Sequence, residues 1–239
     1  MTTIAYQSER CTLYHGDALD ALDEIESKSV DLIATDPPYG VKFRSNRGQN
    51  FTGIAGDDGA LDTSGVIAAY VNKLKPFRHV YCFGPDVLGQ IEKLQSPVEL
   101  VWDKASLGMG DLSLPFAPQH ERVSFAVHVP APSGRRRGDG RLAARLRQGS
   151  VLRCMRPNGT GVKRHPTEKP VALMRQIIEA SSLVGETALD PFAGSGSTLV
   201  AAVASGRRAI GIEIDEQWLP VAIQRLEAAE RVADMLEAL

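Results

Sequence analysis

Residues 30–39, Val30-Asp31-Leu32-Ile33-Ala34-Thr35-Asp36-Pro37-Pro38-Tyr39, begin as a short apolar, β-branched run and end on two consecutive prolines before a tyrosine. A run of this kind reads as a strand buried on both faces, as in a parallel sheet. The prolines deny the strand any continuation and stiffen its exit, so an acid and an aromatic ring are held where it ends. In open α/β sheets that carboxyl edge is where ligands bind. A carboxylate and backbone carbonyls exposed there accept hydrogen bonds from an N–H-bearing group, and the tyrosine offers a flat face to a planar ring.

Outward from this strand the pattern repeats. Strands are expected at Val30–Thr35, His79–Phe83, Val98–Trp102, Val123–Val127, Thr187–Leu189 and Arg208–Ile214. Helices are expected at about Ala18–Glu26, Ser64–Leu74, Val87–Leu94, Pro170–Ser182, Ser197–Ala204 and Glu216–Ala238. Alternation of this kind predicts an α/β fold, a mostly parallel sheet with helices on both faces. Between the first strand and its next helix, Gly40–Asp62 is a long Gly/Asn-rich loop, and a loop of that length in a compact domain is more often functional than decorative.

A second signal follows the strand Thr187–Leu189: Asp190-Pro191-Phe192-Ala193-Gly194-Ser195-Gly196-Ser197-Thr198, which opens a helix. Small residues let a backbone approach a ligand closely, and the helix N-terminus adds free N–H groups. The lysine of a phosphate-binding Walker loop is absent, and the G-x-G-x-x-G dinucleotide fingerprint is not met. Some twenty residues further on, a strand ends at Glu213 and is followed by Asp215, where an acid accepts ribose hydroxyls in Rossmann-like sites. The pair of features points to a nucleoside-bearing ligand without strong phosphate recognition.

The whole chain has 239 residues, 43% hydrophobic and 23% charged, which excludes disordered and collagenous classes and suits a single domain. Three cysteines, Cys11, Cys82 and Cys154, form no C-x-x-C pair, which suggests a reducing, cytoplasmic setting. The N-terminus lacks the basic flank and apolar run of a signal peptide, and no apolar stretch is long enough for a membrane helix, so no membrane partner is expected. His120-Glu121 lacks the second histidine of a zinc helix and the histidines are scattered, so no metal is expected either. Net charge is only −2, but from Val129 to His165 nine arginines and Lys163 face one acid, Asp139. Charge this segregated, flanked by Pro- and Gly-rich punctuation, marks a basic insert on an acidic body.

With these motifs together the chain resembles the amino-group DNA methyltransferases of the permuted β class. The family's catalytic D-P-P-Y motif stands at 36–39 and precedes its F-x-G-x-G cofactor motif at 192–196, the order of that class. The resemblance extends through Tyr14-His15-Gly16-Asp17, Val101-Trp102-Asp103-Lys104, Gln119-His120-Glu121, His165-Pro166-Thr167-Glu168-Lys169-Pro170 and Gly211-Ile212-Glu213-Ile214-Asp215. It implies a circularly permuted, Rossmann-like S-adenosylmethionine-dependent methyltransferase fold in one domain. Residues 1–128 would be the catalytic half, 129–164 a small basic target-recognition insert and 165–239 the cofactor-binding half.

By the same resemblance, Asp36 would accept hydrogen bonds from a target amino group, with the Pro37 carbonyl as second acceptor, Pro38 completing the corner and Tyr39 stacking on an extruded base. Extrusion is needed because the reactive nitrogen lies inside the duplex. Asp190, Phe192, Ala193, Gly194, Ser195 and Gly196 would form the methionine-side loop of the cofactor, Glu213 would meet its ribose and Asp17 its adenine. His165, Thr167 and Lys169 would lie along the segment touching the methionine carboxylate. Arg135, Arg136 and Arg137 would anchor DNA phosphates, and Arg44 and Arg47 would close with their loop over the displaced base. The implied reaction is methylation of adenine N6 in double-stranded DNA. N4-cytosine methylation is the alternative, and RNA or protein amide methylation a more remote one. A homodimer and a cognate restriction endonuclease are further partners that the class allows.

Overall fold

The computed structural model describes residues 1–39, 61–108, 112–130, 148–156 and 168–238. Arg44, Arg47, Arg135, Arg136, Arg137, His165 and Thr167 lie outside the described residues.

The described residues build a nine-stranded sheet from β1 (Thr3–Gln7), β2 (Cys11–His15), β3 (Val30–Thr35), β4 (Leu74–Phe83), β5 (Leu94–Asp103), β6 (His120–His128), β7 (Val151–Arg153), β8 (Thr187–Asp190) and β9 (Arg208–Glu213). Their spatial order is β1-β2-β9-β8-β3-β4-β6-β5-β7. The five central neighbours, β2 to β4 in that order, run parallel. Only β1 and β6 run against them, and β5 and β7 point with the central strands. The helices are α1 (Thr63–Val71), α2 (Val171–Ser181), α3 (Ser197–Ala204) and α4 (Leu219–Glu237).

All six residues of β3 are buried, because helices cover the sheet on both sides. Leu32 and Ala34 face one cluster with Leu173, Ile177, Leu199 and Leu226 of α2, α3 and α4. Ile33 faces the other, with Val66, Ile67 and Tyr70 of α1. Strands β4 and β8 alternate in the same way: Tyr81, Phe83 and Ala188 look to the first layer, Val80, Cys82 and Leu189 to the second. The double-sided burial explains why these strands read as unbroken apolar runs.

Several expected elements differ. The stretch 18–26 is one 3₁₀ turn, Asp20–Glu24. Its apolar spacing does report burial, of Ala18, Ala21 and Ile25, but Ile25 turns extended and the turn ends there. Likewise 87–94 holds only a 3₁₀ turn at Leu88–Gln90 before β5 begins. There the Asp86 carboxylate accepts the N–H groups of Leu88 and Gly89 at 3.1 and 3.3 Å, a local bond that competes with helix propagation. Strands β1, β2 and β7 lie outside the strands expected from the sequence. Three residues assigned to the basic insert, Val151–Arg153, thus belong to the sheet, paired in parallel with Val101–Asp103.

Candidate active site at the carboxyl edge of the sheet

Because the central strands are parallel, their carboxyl ends lie in a row. Along it come Asp17 just past β2, Glu213 ending β9, Asp190 ending β8, Asp36 just past β3 and Gly84 just past β4. Strand β6, running the other way, brings its first residues His120 and Glu121 to the same edge. Connections diverge between β8 and β3: β8 continues through α3 to β9 on one side, β3 through α1 to β4 on the other. Such a switch point opens a crevice between the two loops. The two signal motifs, about 150 residues apart in the chain, meet here. Thr35 Oγ1 donates to Asp190 Oδ1 at 2.7 Å, both groups buried.

Asp190 is held from three sides, since Thr198 Oγ1 donates to its other oxygen at 2.6 Å and the Phe192 N–H to Oδ1 at 3.0 Å. Burial still outweighs these donors and pushes its carboxyl up to about 6. From there the loop turns back on itself. Ala193 N–H donates to Ile212 O, and Gly194 and Gly196 have φ of +52° and +79°, a region where a Cβ is strained. A Cβ built on Gly194 meets nothing within 4 Å, so the backbone there borders open space. Gly196 caps α3 without a side-chain bond to the helix's first amides. Glu213 reaches over to this loop: its Oε2 accepts Gly194 N–H at 2.6 Å and its Oε1 accepts Asp215 N–H at 2.7 Å. Burial raises the Glu213 carboxyl to about 7. One strand further along, Gly16 N–H bonds to Glu213 O at 3.0 Å, which sets Asp17 beside Glu213.

At the other corner, Asp36 retains 20% of its side-chain surface. Its Oδ1 accepts the Tyr39 hydroxyl and its Oδ2 accepts the Lys169 ammonium. Burial raises its pKa, although Lys169 opposes the shift. The Tyr39 ring lies against Gly84, where any Cβ would overlap it, and Gly84 has φ +93°. A cleft of about 320 Å³ opens beside this corner, lined by Pro37, Pro38 and Tyr39, by Asp62 and Thr63 at the start of α1, and by Phe83.

The structure therefore brings Asp17, Asp36, Pro37, Pro38, Tyr39, Lys169, Asp190, the 192–196 loop and Glu213 to one edge. Phe192 is partly buried and packs on the α1-side core, while Ala193 and Ser195 are buried. Glu168 and Lys169, adjacent in sequence, diverge in space. Glu168 meets Arg225 of α4 at 3.3 Å and the Ser195 hydroxyl at 3.4 Å, on the glycine loop; Lys169 turns to Asp36 and Glu121. Arg225 adds bonds to Ser195 O and Oγ at 2.6 and 2.9 Å. Sequence reasoning missed Arg225, Gly84 and the role of Glu121 as a partner of Lys169. The glycine after an apolar strand was a visible signal for Gly84; nothing local marks Arg225.

A family model described as DNA methylase, of the N6/N4 type, matches residues 30–224. The chain belongs to this DNA methylase family. Among its relatives, DNA adenine methyltransferase YhdJ of Escherichia coli is 31% identical over 263 residues, covering 94% of this chain and 85% of that protein. Among solved structures, that of the M1.HpyAVI–SAM complex superposes with a TM-score of 0.67 at 22% identity, covering 90% of this chain and 98% of the other. The PvuII DNA methyltransferase (cytosine-N4-specific) superposes with a TM-score of 0.69 at 15% identity, covering 97% and 94%. These two structures establish that the methylase described here shares their fold.

Proposed function

We propose that this methylase transfers a methyl group from S-adenosylmethionine to the N6 amino group of adenine in double-stranded DNA, with the target base turned out of the helix into the cleft beside Tyr39. The observation that carries this reading is the hydrogen bond between Thr35 and Asp190, which sets the acid of one corner and the glycine loop of the other side by side. The residues present fit the cofactor: open space over Gly194, a start of α3 with no side-chain cap, and the enclosed Glu213 carboxylate. Asp190 and the loop Phe192–Gly196 would hold its methionine side, Glu213 its ribose and Asp17 its adenine. When bound, S-adenosylmethionine supplies an electrophilic methyl group on a sulfonium.

The chain's own residues do the rest. An exocyclic amine delocalises its lone pair into the ring, so acceptors that favour a pyramidal nitrogen act most strongly at the transition state. Asp36 and the Pro37 carbonyl are those acceptors, and Tyr39 stacks on the base. As the N–C bond forms, the nitrogen's proton becomes acidic and Asp36 takes it. The two corners solve the in-line positioning that the transfer requires. An acid rather than a serine at position 36 favours adenine over cytosine. Double-stranded DNA is the partner this reading requires; a homodimer and a cognate endonuclease are the optional ones.

Asp36→Ala is expected to abolish methylation while S-adenosylhomocysteine still binds, measured by tritium transfer to duplex DNA and by calorimetry. An unchanged rate would remove Asp36 from the chemistry. Nucleoside mass spectrometry of the product DNA is expected to give N6-methyladenine, and N4-methylcytosine alone would overturn the choice of base.

A further inference from the structure

Lys169 stands just before the proline that caps α2, and its side chain is only 6% exposed. Its ammonium lies between two carboxylates, bonded to Asp36 Oδ2 and 3.3 Å from Glu121 Oε2. It also lies over two aromatic rings, with the Phe83 ring centroid at 5.0 Å and that of Tyr39 at 5.9 Å. Glu121 is itself fixed from behind by Lys104 Nζ at 2.7 Å and an Arg156 nitrogen at 3.2 Å. A buried ammonium is costly unless paired, and a chain of alternating charges held at both ends is a placed feature of the site.

The groups facing Asp36 are Tyr39 from its own corner, Cys82 from β4, Glu121 from β6, Asp190 from β8 and Lys169 from the entry to α2. Among these described residues Lys169 is the one cation; the two acids work against ionisation of Asp36, as burial does. Without it burial would push the Asp36 carboxyl further up, and a protonated carboxyl cannot take a proton from an amine. Lys169 on Oδ2 also leaves Oδ1, the oxygen shared with Tyr39, as the one turned to the cleft-lining tyrosine.

We propose that Lys169, steadied by Glu121, is the positioning residue that keeps Asp36 ionised and aims its Oδ1 at the incoming amine. The inference rests on Asp36 being the acceptor, and it gives Lys169 a task different from touching the methionine carboxylate.

The test is the pH dependence of kcat/KM for DNA methylation by the full chain. Lys169→Met is expected to move the acid limb upward by about one to three pH units, so that most of the loss near neutrality is recovered at high pH. Lys169→Arg, which keeps the charge, is expected to restore the limb, and Glu121→Gln, which removes an acid that opposes ionisation of Asp36, to move it by less and in the opposite direction, downward. The smaller changes keep the test open should Lys169→Met not fold. A rate reduced equally at every pH, with the limb unmoved in all three variants, would make Lys169 merely structural and overturn the proposal. So would an unmoved limb with S-adenosylhomocysteine binding weakened tenfold or more, which would return Lys169 to the cofactor. An active Asp36→Ala variant would instead sink the reading of Asp36 itself, so the two failures are distinguishable.

Discussion

Glu213 combines two demands that pull apart. Its two oxygens accept the amides of Gly194 and Asp215, which pins the glycine loop, yet burial raises its carboxyl from 4.5 to about 7. A raised folded-state pKa means that the stabilising contribution is complete below the unfolded value and is lost as pH climbs through 7. Ionised Glu213 therefore burdens the ligand-free fold above neutrality by roughly 1–3 kcal/mol. Hydroxyl donors from a ribose would relieve that burden. Glu213→Gln is accordingly expected to gain stability relative to the parent between pH 5 and pH 8 in urea titrations, whatever constant amount it loses from one mispaired amide. In the same variant, cofactor affinity is expected to stop rising with pH over this interval. A stability difference that does not change with pH would contradict this sign.

At the scale of elements, the join between β3 and β8 decides whether two distant motifs make one site. Thr35→Val keeps the shape of the buried side chain and removes one donor from Asp190, leaving the Phe192 amide and Thr198. The expected loss is about 1–3 kcal/mol at pH 8, shrinking toward pH 5 as Asp190, raised to about 6, takes a proton. Equal losses at both values would show that Thr35 matters only for packing. The sequence was legible where burial on both faces wrote itself as apolar runs: β3, the body of β4, β6, β8 and β9 lie where that pattern put them. It misled where a short apolar spacing belonged to a single turn, as at Ala18, Ala21 and Ile25, because periodicity records a buried face and not the number of turns behind it. Strand β2 carried an alternating signal, Cys11 and Leu13 in, that five residues made easy to overlook. Strand β7 could not be read at all, since three residues with one buried leucine depend on β5 for their existence. The site followed the same rule. Asp36, Tyr39, Gly194 and Glu213 stand on motifs, whereas the Lys169–Glu121 pair spans 48 positions and is created only when β6 runs antiparallel into the same edge.

For the molecule as a whole, the distribution of charge matters more than its sum. A chain with net charge −2 would gain nothing from approaching DNA, but ten cations against one acid lie between Val129 and His165. The described part of that segment is not remote from the site. Strand β7 forms the sheet edge beside β5, Arg153 pairs with Asp103 at 3.0 Å while 76% exposed, and Arg156 reaches Glu121, one ion pair removed from Lys169. The described residues Val151–Arg156 are thus tied to the candidate active site by the edge of the sheet. Because the rest of the chain is net acidic, these arginines should supply most of the counterion release on binding. Replacing Arg135, Arg136 and Arg137 together by glutamine is expected to weaken duplex binding several-fold at physiological salt. It should also flatten the plot of log affinity against log salt by up to about 0.9 for each phosphate that is no longer neutralised, while leaving S-adenosylhomocysteine affinity unchanged. Fluorescence anisotropy across a salt series measures this directly; an unaltered slope would mean that the run is a solvated surface and that DNA is gripped elsewhere.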